Sequence, residues 1–341
     1  MEGCLLAVGC SSAISTNSST PGVPTPASSC SVPVAGNVPV PSNCAYFGAW
    51  VNPARGPTDA VSVNTYTTTL EAQIGQKLRV HMHYYGWGTP GATASQSIPS
   101  FPDQAMIDDE NAGRVSLVTW GCTSLNATVA TASLTADVED YNLIVATAQA
   151  VKAFQKPVFI RWFWEMNLGN KPQCSGIGTA AQQGANYVAA WQNIYNIFKA
   201  QGVTNVSWVW NPGGAAADPD PAPYYPGNNY VDWIGFDGYD KIEALDFGGV
   251  FNHFYQEFAA DGKPMIIGET GECPNLQQAY LNSAVAEIAG RTNSGGYSFP
   301  LVRGFLYFDS PGQYTCNWNF DAEGMTGFQA MGADPYFSAM P

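Results

Sequence analysis

Glu165 closes an apolar run, KPVFIRWFWEMN from Lys156 to Asn167, in which Arg161 is the one other charge after the leading lysine. Glu269 closes a second run of the same build, KPMIIGETG from Lys263 to Gly271. Short apolar runs of this kind, led by a Lys-Pro turn signal, suit strands buried on both faces. Alternation along the first predicts Arg161, Phe163 and Glu165 on one face and Ile160, Trp162 and Trp164 on the other. One arginine and one glutamate at a strand end make an ordinary structural ion pair, because buried charges need partners. Two strands that each deliver a glutamate at the C-terminal end suggest paired catalytic carboxylates. Glycoside hydrolysis needs such a pair, one group protonated to donate to the leaving oxygen and one ionised on the other side of the sugar.

The two ends must then meet, and the rest of the chain offers the means. AYFGAWV, LRVHMHYYGW and RVSLVTWG, starting at Ala45, Leu78 and Arg114, read as strands one to three. The run ending in Glu165 is the fourth. NVSWVWNP, VDWIGFDGY, the run holding Glu269, and GFLYFDS from Gly304 supply the fifth to eighth. Helical patterns separate several of them: Asp140 to Gln155 with Asp140 as its cap, Ala181 to Gln201 stopped by Gly202, VFNHFYQEFAADG from Val250, and Leu276 to Ala289. Eight short strands alternating with mostly helical segments predict a (β/α)8 TIM barrel, an α/β fold in which every strand's C-terminal end opens on one mouth. An open doubly wound sheet is the alternative, but no glycine-rich phosphate loop follows the first strand.

The chain has 341 residues, 27 Asp and Glu against 13 Lys and Arg, and a net charge of −14. Nucleic acid and anionic membrane surfaces are poor partners for it. No apolar run approaches the roughly 20 residues of a membrane span. Low charge content with abundant Gly, Ser, Thr, Trp and Tyr suits a secreted monomer meeting a neutral polysaccharide. Residues 1–10 hold Cys4 and Cys10 and resemble the end of a secretion signal; AVGC loosely matches a lipobox, which makes Cys10 a lipid-anchor expectation. Residues 11–42 are rich in Ser, Thr and Pro and read as an extended tether, leaving 43–341 as the folded domain. The other cysteines, Cys30, Cys44, Cys122, Cys174, Cys273 and Cys316, are even in number and show no CxxC spacing, so disulfides are expected rather than a zinc site. Cys30 and Cys44 would clip the end of the tether. Cys122 and Cys174 follow strands three and four, and Cys273 and Cys316 follow strands seven and eight, so each pair would join neighbouring loops.

From Ala45 onward the sequence resembles glycoside hydrolase family 26, a family of retaining barrel glycosidases. RWFWE matches that family's Arg-Pro-Phe-His-Glu signature at the arginine, phenylalanine and glutamate. YYPGNNYVDWIGFDGY resembles its Tyr, Pro and Gly followed by Val-Asp and an Asp-Gly-Tyr end, and KPMIIGETG resembles the lead to its nucleophile. The resemblance implies Glu165 as general acid/base and Glu269 as nucleophile, with Arg161 and Tyr239 beside the nucleophile. It implies endo action on a β-glycan, β-1,4-mannan first, with β-1,3-xylan and mixed-linkage β-glucan as alternatives, and no cofactor. Trp164 stands where the family's mannanases carry histidine next to the acid/base, which puts the substrate rather than the mechanism in question.

Leu78, Val80 and Met82 suit the helix-facing side of strand two, which would turn His81, His83 and Tyr85 inward as sugar contacts. A His-x-His with Asp309 also raises a metal-dependent hydrolase, but the one remaining histidine, His253, falls in a helix. Trp50, Tyr85, Trp87, Trp120, Trp162, Trp210 and Tyr307 crowd the strand ends; aromatic faces stack on sugar rings, and each is also ordinary core material. Trp87, Trp120 and Trp210, at the very ends, are the strongest platform candidates. Asn167, Asn211 and Asp309 could bond hydroxyls or serve as turn residues. A barrel that binds carbohydrate without cleaving it is the remaining reading.

Overall fold

A computed structural model describes residues 30, 36–87, 102–122, 124–241, 245–291, 295–312 and 316–340. The sequence expectations for residues 1–10, and most of those for the tether, fall outside the described residues. Eight strands close a barrel in sequence order: β1 (Tyr46–Val51), β2 (Val80–Tyr85), β3 (Val115–Trp120), β4 (Val158–Trp162), β5 (Val206–Trp210), β6 (Trp233–Tyr239), β7 (Met265–Gly271) and β8 (Val302–Asp309). All neighbours run parallel, and β8 returns to pair with β1 from Tyr46 opposite Gly304 to Val51 opposite Asp309. The expected barrel is therefore the observed one, with strand bounds close to those read from the sequence.

Helices wrap it: α1 (Ala60–Ile74), α2 (Gln104–Ala112), α3 (Asn126–Thr131), α4 (Val138–Phe154), α5 (Pro172–Ser175), α6 (Ala180–Ala200), α7 (Phe247–Phe258), α8 (Gln277–Ile288) and α9 (Ala322–Ala333). Local chemistry sets their ends. Asp59, Asp103, Asp246 and Asp321 accept amide bonds at helix starts, and Thr179 forms a capping box with Gln182. The sequence pattern had not singled out α2, α3 and α9, whose apolar faces are short or glycine-broken. None of the helices described is long and apolar enough to cross a membrane.

Two packed layers result. Tyr46, Val80, Met82, Val115, Leu117, Phe159, Val209, Trp233, Ile266 and Leu306 fill the barrel interior, while the outward strand residues pack with the helices in a larger core. Val38, at the end of the tether, is buried beneath the barrel, where its backbone bonds Ser207 Oγ at 3.0 Å. Disulfides join Cys122 to Cys174 and Cys273 to Cys316, the pairs expected from loop adjacency, and Cys30 to Cys44, the expected clip at the end of the tether.

Two expectations are corrected here. On β2 the parity is reversed: Val80 and Met82 point inward, and His81, His83 and Tyr85 face the helices. The reason is a polar knot under α1 and α2, in which His81, His83, Arg114 and Ser116 all bond the buried Asp109 carboxylate at 2.6 to 2.9 Å. Asp140 does not cap α4 either; it lies inside the first turn and accepts from Trp87 Nε1, Ser124 and Thr128, while Asp137 takes the cap position.

Candidate active site

The upper interior layer of the barrel is polar. Its hub is Arg161 on β4, wholly buried, whose Nε donates to Thr119 Oγ1 on β3 at 2.7 Å. Nη1 donates to both oxygens of Asp237 on β6 at 3.0 Å and to Asn211 Oδ1 at 3.4 Å, and Nη2 donates to Glu269. Burial opposes the guanidinium charge, but Asp237 and Glu269 outweigh it and hold Arg161 protonated more firmly than usual. One fixed cation thus serves two carboxylates.

Glu269 reaches this layer through an irregularity in β7. Ile266 points inward and Ile267 outward, so plain alternation would send Glu269 to the helices. The pairing with β6 shifts between Phe236 and Asp237, leaving Gly268 as an extra residue and bringing Glu269 opposite Asp237. Such a bulge re-aims the following side chain. Only glycine fits there, because a Cβ on Gly268 would lie 2.2 Å from Asn211 Oδ1 and 2.6 Å from Asp237 Oδ1. Turned inward, Glu269 accepts from Tyr84 at Oε1, 2.6 Å, and from Tyr239 at Oε2, 2.7 Å. Burial, and next the charge of Glu269, raise both phenols well above their ordinary range, so both remain protonated donors. Three donors converge on one carboxylate, whose four lone pairs in the ionised form can take them all.

Glu165 arrives differently. β4 ends at Trp162, and Phe163 and Glu165 adopt left-handed backbone with φ of 45° and 54°. The expected alternation therefore stops one residue early, which is a correction. Phe163 packs outward against Trp162 and Tyr187, while Trp164 and Glu165 both face the cleft. The Glu165 amide bonds Asn211 O at 2.9 Å, and Asn170 Nδ2 donates to Oε2 at 3.1 Å. Burial raises the Glu165 carboxyl above its usual range and the charge of Glu269 raises it further, against the pull of Lys171, Asn170 and Arg161. One carboxylate held by donors beside another pushed toward the protonated form is the arrangement that acid/base chemistry at a glycosidic bond requires.

Both glutamates line one open cleft of about 440 Å³ at the strand C-termini. Tyr84, Trp164, Phe308 and Trp318 supply its aromatic walls, and Arg55, Lys171 and Lys241 its cationic ones. Trp318 lies face to face with Tyr239 at 4.0 Å, next to the Cys273–Cys316 disulfide. Of the residues singled out from sequence, Arg161, Trp164, Glu165, Tyr239 and Glu269 come together here.

Others do not. Trp120 is stacked on Trp87 in the helix-facing core, Trp210 packs on Tyr225 and Phe258, and none of the three reaches the cleft. His83 is held against Asp109 on the far side of β2. Asn167 spends its amide on Gly213 and Pro219, tying two loops together, and Asn211 supports Arg161. Asp309 is buried and accepts from the Phe320 amide, with its carboxyl pushed up to about 6 by burial. His81, His83 and Asp109 lie close enough together to suggest a metal, yet Arg114 and Ser116 already complete the Asp109 shell. Sequence reasoning missed Tyr84, Asp237, Lys171 and Trp318. Tyr84 could have been found only by assigning the correct parity to β2, and Asp237 is the Asp of the quoted Asp-Gly-Tyr end.

Residues 118–281, a span that holds both glutamates, match the model of glycosyl hydrolase family 26. The chain is 30% identical over 235 residues to Endoglucanase H of Acetivibrio thermocellus, a match covering 65% of this chain and 24% of that protein. The chain thus spans about a quarter of the length of that curated relative. Among solved structures it resembles a Bacillus subtilis mannanase (TM-score 0.62, 17% identity, 86% of each chain). It also resembles a β-mannanase from Bacteroides ovatus (TM-score 0.60, 15% identity, 86% of this chain and 90% of the other). At these identities the structural likeness concerns the fold.

Proposed function

Because the chain belongs to glycosyl hydrolase family 26, we propose that it is a retaining endo-β-glycanase acting by double displacement. The observation that carries this reading is the asymmetry between the two cleft carboxylates: Glu269 gripped by Arg161, Tyr84 and Tyr239, and Glu165 raised by burial and by the charge of Glu269. Glu269 attacks the anomeric carbon while Glu165 gives its proton to the leaving oxygen. Water, losing a proton to Glu165, then releases the sugar from Glu269. Arg161 and the two tyrosines release Glu269 from part of their grip as it bonds to carbon and recover it when the ester breaks. The mechanism calls for no cofactor. The three disulfides support secretion or display at the cell surface, and the AVGC stretch would make Cys10 the anchor residue.

The substrate is a neutral β-linked polysaccharide, β-1,4-mannan by the motif resemblance. A mixed-linkage β-glucan is the second reading, favoured by the relative named an endoglucanase and by Trp164 in place of the mannanases' histidine. Reducing-sugar release from glucomannan, galactomannan, barley β-glucan, β-1,3-xylan and cellulose, with Glu269→Ala as the blank, separates them. Activity on one polymer that disappears in the blank is the expected result. Silence on every polymer would favour a barrel that binds carbohydrate without cleaving it.

A further inference from the structure

Lys171 lies six residues beyond Glu165, at the entry to α5, and does three things at once. Its ammonium sits 3.8 Å from the centre of the Trp164 ring, a close cation–π contact. The same Nζ donates to the Trp164 carbonyl at 3.1 Å and to Asn170 Oδ1 at 3.4 Å. Asn170 in turn points its Nδ2 at Glu165 Oε2, 3.1 Å away. The amide is thus polarised in one direction, its oxygen toward the cation and its N–H toward the carboxylate. The loop that carries these groups is tied to β3 by the Cys122–Cys174 disulfide, three residues past Lys171.

We propose that Lys171 is a positioning residue for the reaction: through Asn170 it holds and biases Glu165, and through the ring contact it fixes Trp164 as the sugar platform beside it. The proposal rests on the reading of Glu165 as the acid/base. When Glu165 has given up its proton, the Asn170 N–H and the Lys171 charge are the groups on its own loop that stabilise the anion. From the other elements Glu165 faces Glu269 on β7, Arg161 on β4, Asp237 and Tyr239 on β6, Tyr84 on β2, and Lys241 and Arg55 at the rim; a change at 171 leaves these side chains in the cleft, although the Lys171 charge also reaches Glu269, Asp237 and Arg161. Burial lowers Lys171 from its ordinary range, and the neighbouring carboxylates oppose that loss. The sign at Glu165 is then fixed: removing the cation raises its pKa.

The test is the pH profile of kcat and KM for Lys171→Met and Lys171→Arg on the polysaccharide that the wild type cleaves, and on an aryl glycoside with a good leaving group. For Lys171→Met the expected result is a roughly 10-fold loss of kcat on the polymer, a fraction of what general acid catalysis supplies. A raised KM, an alkaline limb moved to higher pH and little change in kcat on the aryl glycoside complete the expectation, with Lys171→Arg recovering most of the loss. A wild-type profile in Lys171→Met, or equal losses of kcat on both substrates, would overturn the proposal. If Glu165→Ala itself shows no dependence on the leaving group, it is the acid/base reading that fails, and the two failures are distinct. Should Lys171→Met not fold, Asn170→Ala reads the same link: a raised alkaline limb with unchanged KM supports it, and an unmoved limb overturns it.

Discussion

Glu269 acts on Glu165 through space: after burial, its charge is the largest influence raising the Glu165 carboxyl. The coupling fixes an order of events. In the proposed double displacement, the charge of Glu269 favours the protonated form of Glu165 for the first step, and esterification of Glu269 to the sugar would remove that influence and let Glu165 act as base for the second. The Glu165→Ala variant should lose about 10²- to 10⁴-fold on polysaccharide and much less on an aryl glycoside. Activity of the wild type on polymer should fall as pH rises through the raised Glu165 pKa. In Glu165→Ala that alkaline limb should be absent, which a pH–rate series on the aryl substrate reads directly.

Glu269→Ala should lose at least about 10⁴-fold of turnover, the scale of removing a covalent nucleophile. Added azide can occupy the vacated space and attack in its place. The expected product is a glycosyl azide of inverted anomeric configuration, identified by proton NMR. Wild-type rates in this variant would end the assignment.

Gly268→Ala tests the bulge. The new methyl group would collide with Asn211 and Asp237, both of which are wholly or almost wholly buried and cannot swing aside. Relief requires β7 to lose its extra residue, which turns Glu269 toward the helices. The expected outcome is a destabilisation of about 1–3 kcal/mol by denaturant melts, with activity lost beyond what the unfolded fraction explains. Retained activity would show that the bulge does not set the orientation of Glu269.

Glu287 on α8 makes a prediction remote from the cleft. It is buried beside Asp246 at the start of α7, and burial followed by the charge of Asp246 pushes its carboxyl up to about 7 from an ordinary 4.5. The folded chain therefore holds a proton there that the unfolded chain releases. Stability from this group is complete below about pH 4.5 and is lost as pH rises through about 7. The Glu287→Gln variant should melt higher than wild type above pH 7, and the difference should shrink toward pH 5. Equal melting curves at both pH values would show that Glu287 is not protonated in the fold.

How much of this was open to sequence reasoning depends on the residue. The strands that end near Glu165 and Glu269 announce themselves because a strand buried on both faces must be continuously apolar. The partners of Cys122 and of Cys273 follow from strand order, since loops after adjacent strands are neighbours. The direction of a side chain is another matter. His81 and His83 read as inward because Val80 and Met82 are apolar, yet the lower barrel interior is itself apolar, and the partner that draws the histidines outward, Asp109, is 28 residues from His81. Trp87, Trp120 and Trp210 are at strand ends and still face the helices. Period two misleads at the two glutamates as well: a bulge at Gly268 and left-handed turns at Phe163 and Glu165 reset the count, and neither leaves a mark in hydrophobicity.

The left-handed pair at Phe163 and Glu165 has a consequence for how such a cleft can change its substrate. Trp164, between them, belongs neither to the packed interior nor to the helical shell, and its ring meets Tyr84, Lys171 and open space. A different side chain at this position would alter the wall of the cleft while the backbone hydrogen bond from Glu165 to Asn211 keeps Glu165 in place. The fold thus sets Trp164 apart from the packing that holds Glu165, so that a change at one need not disturb the other.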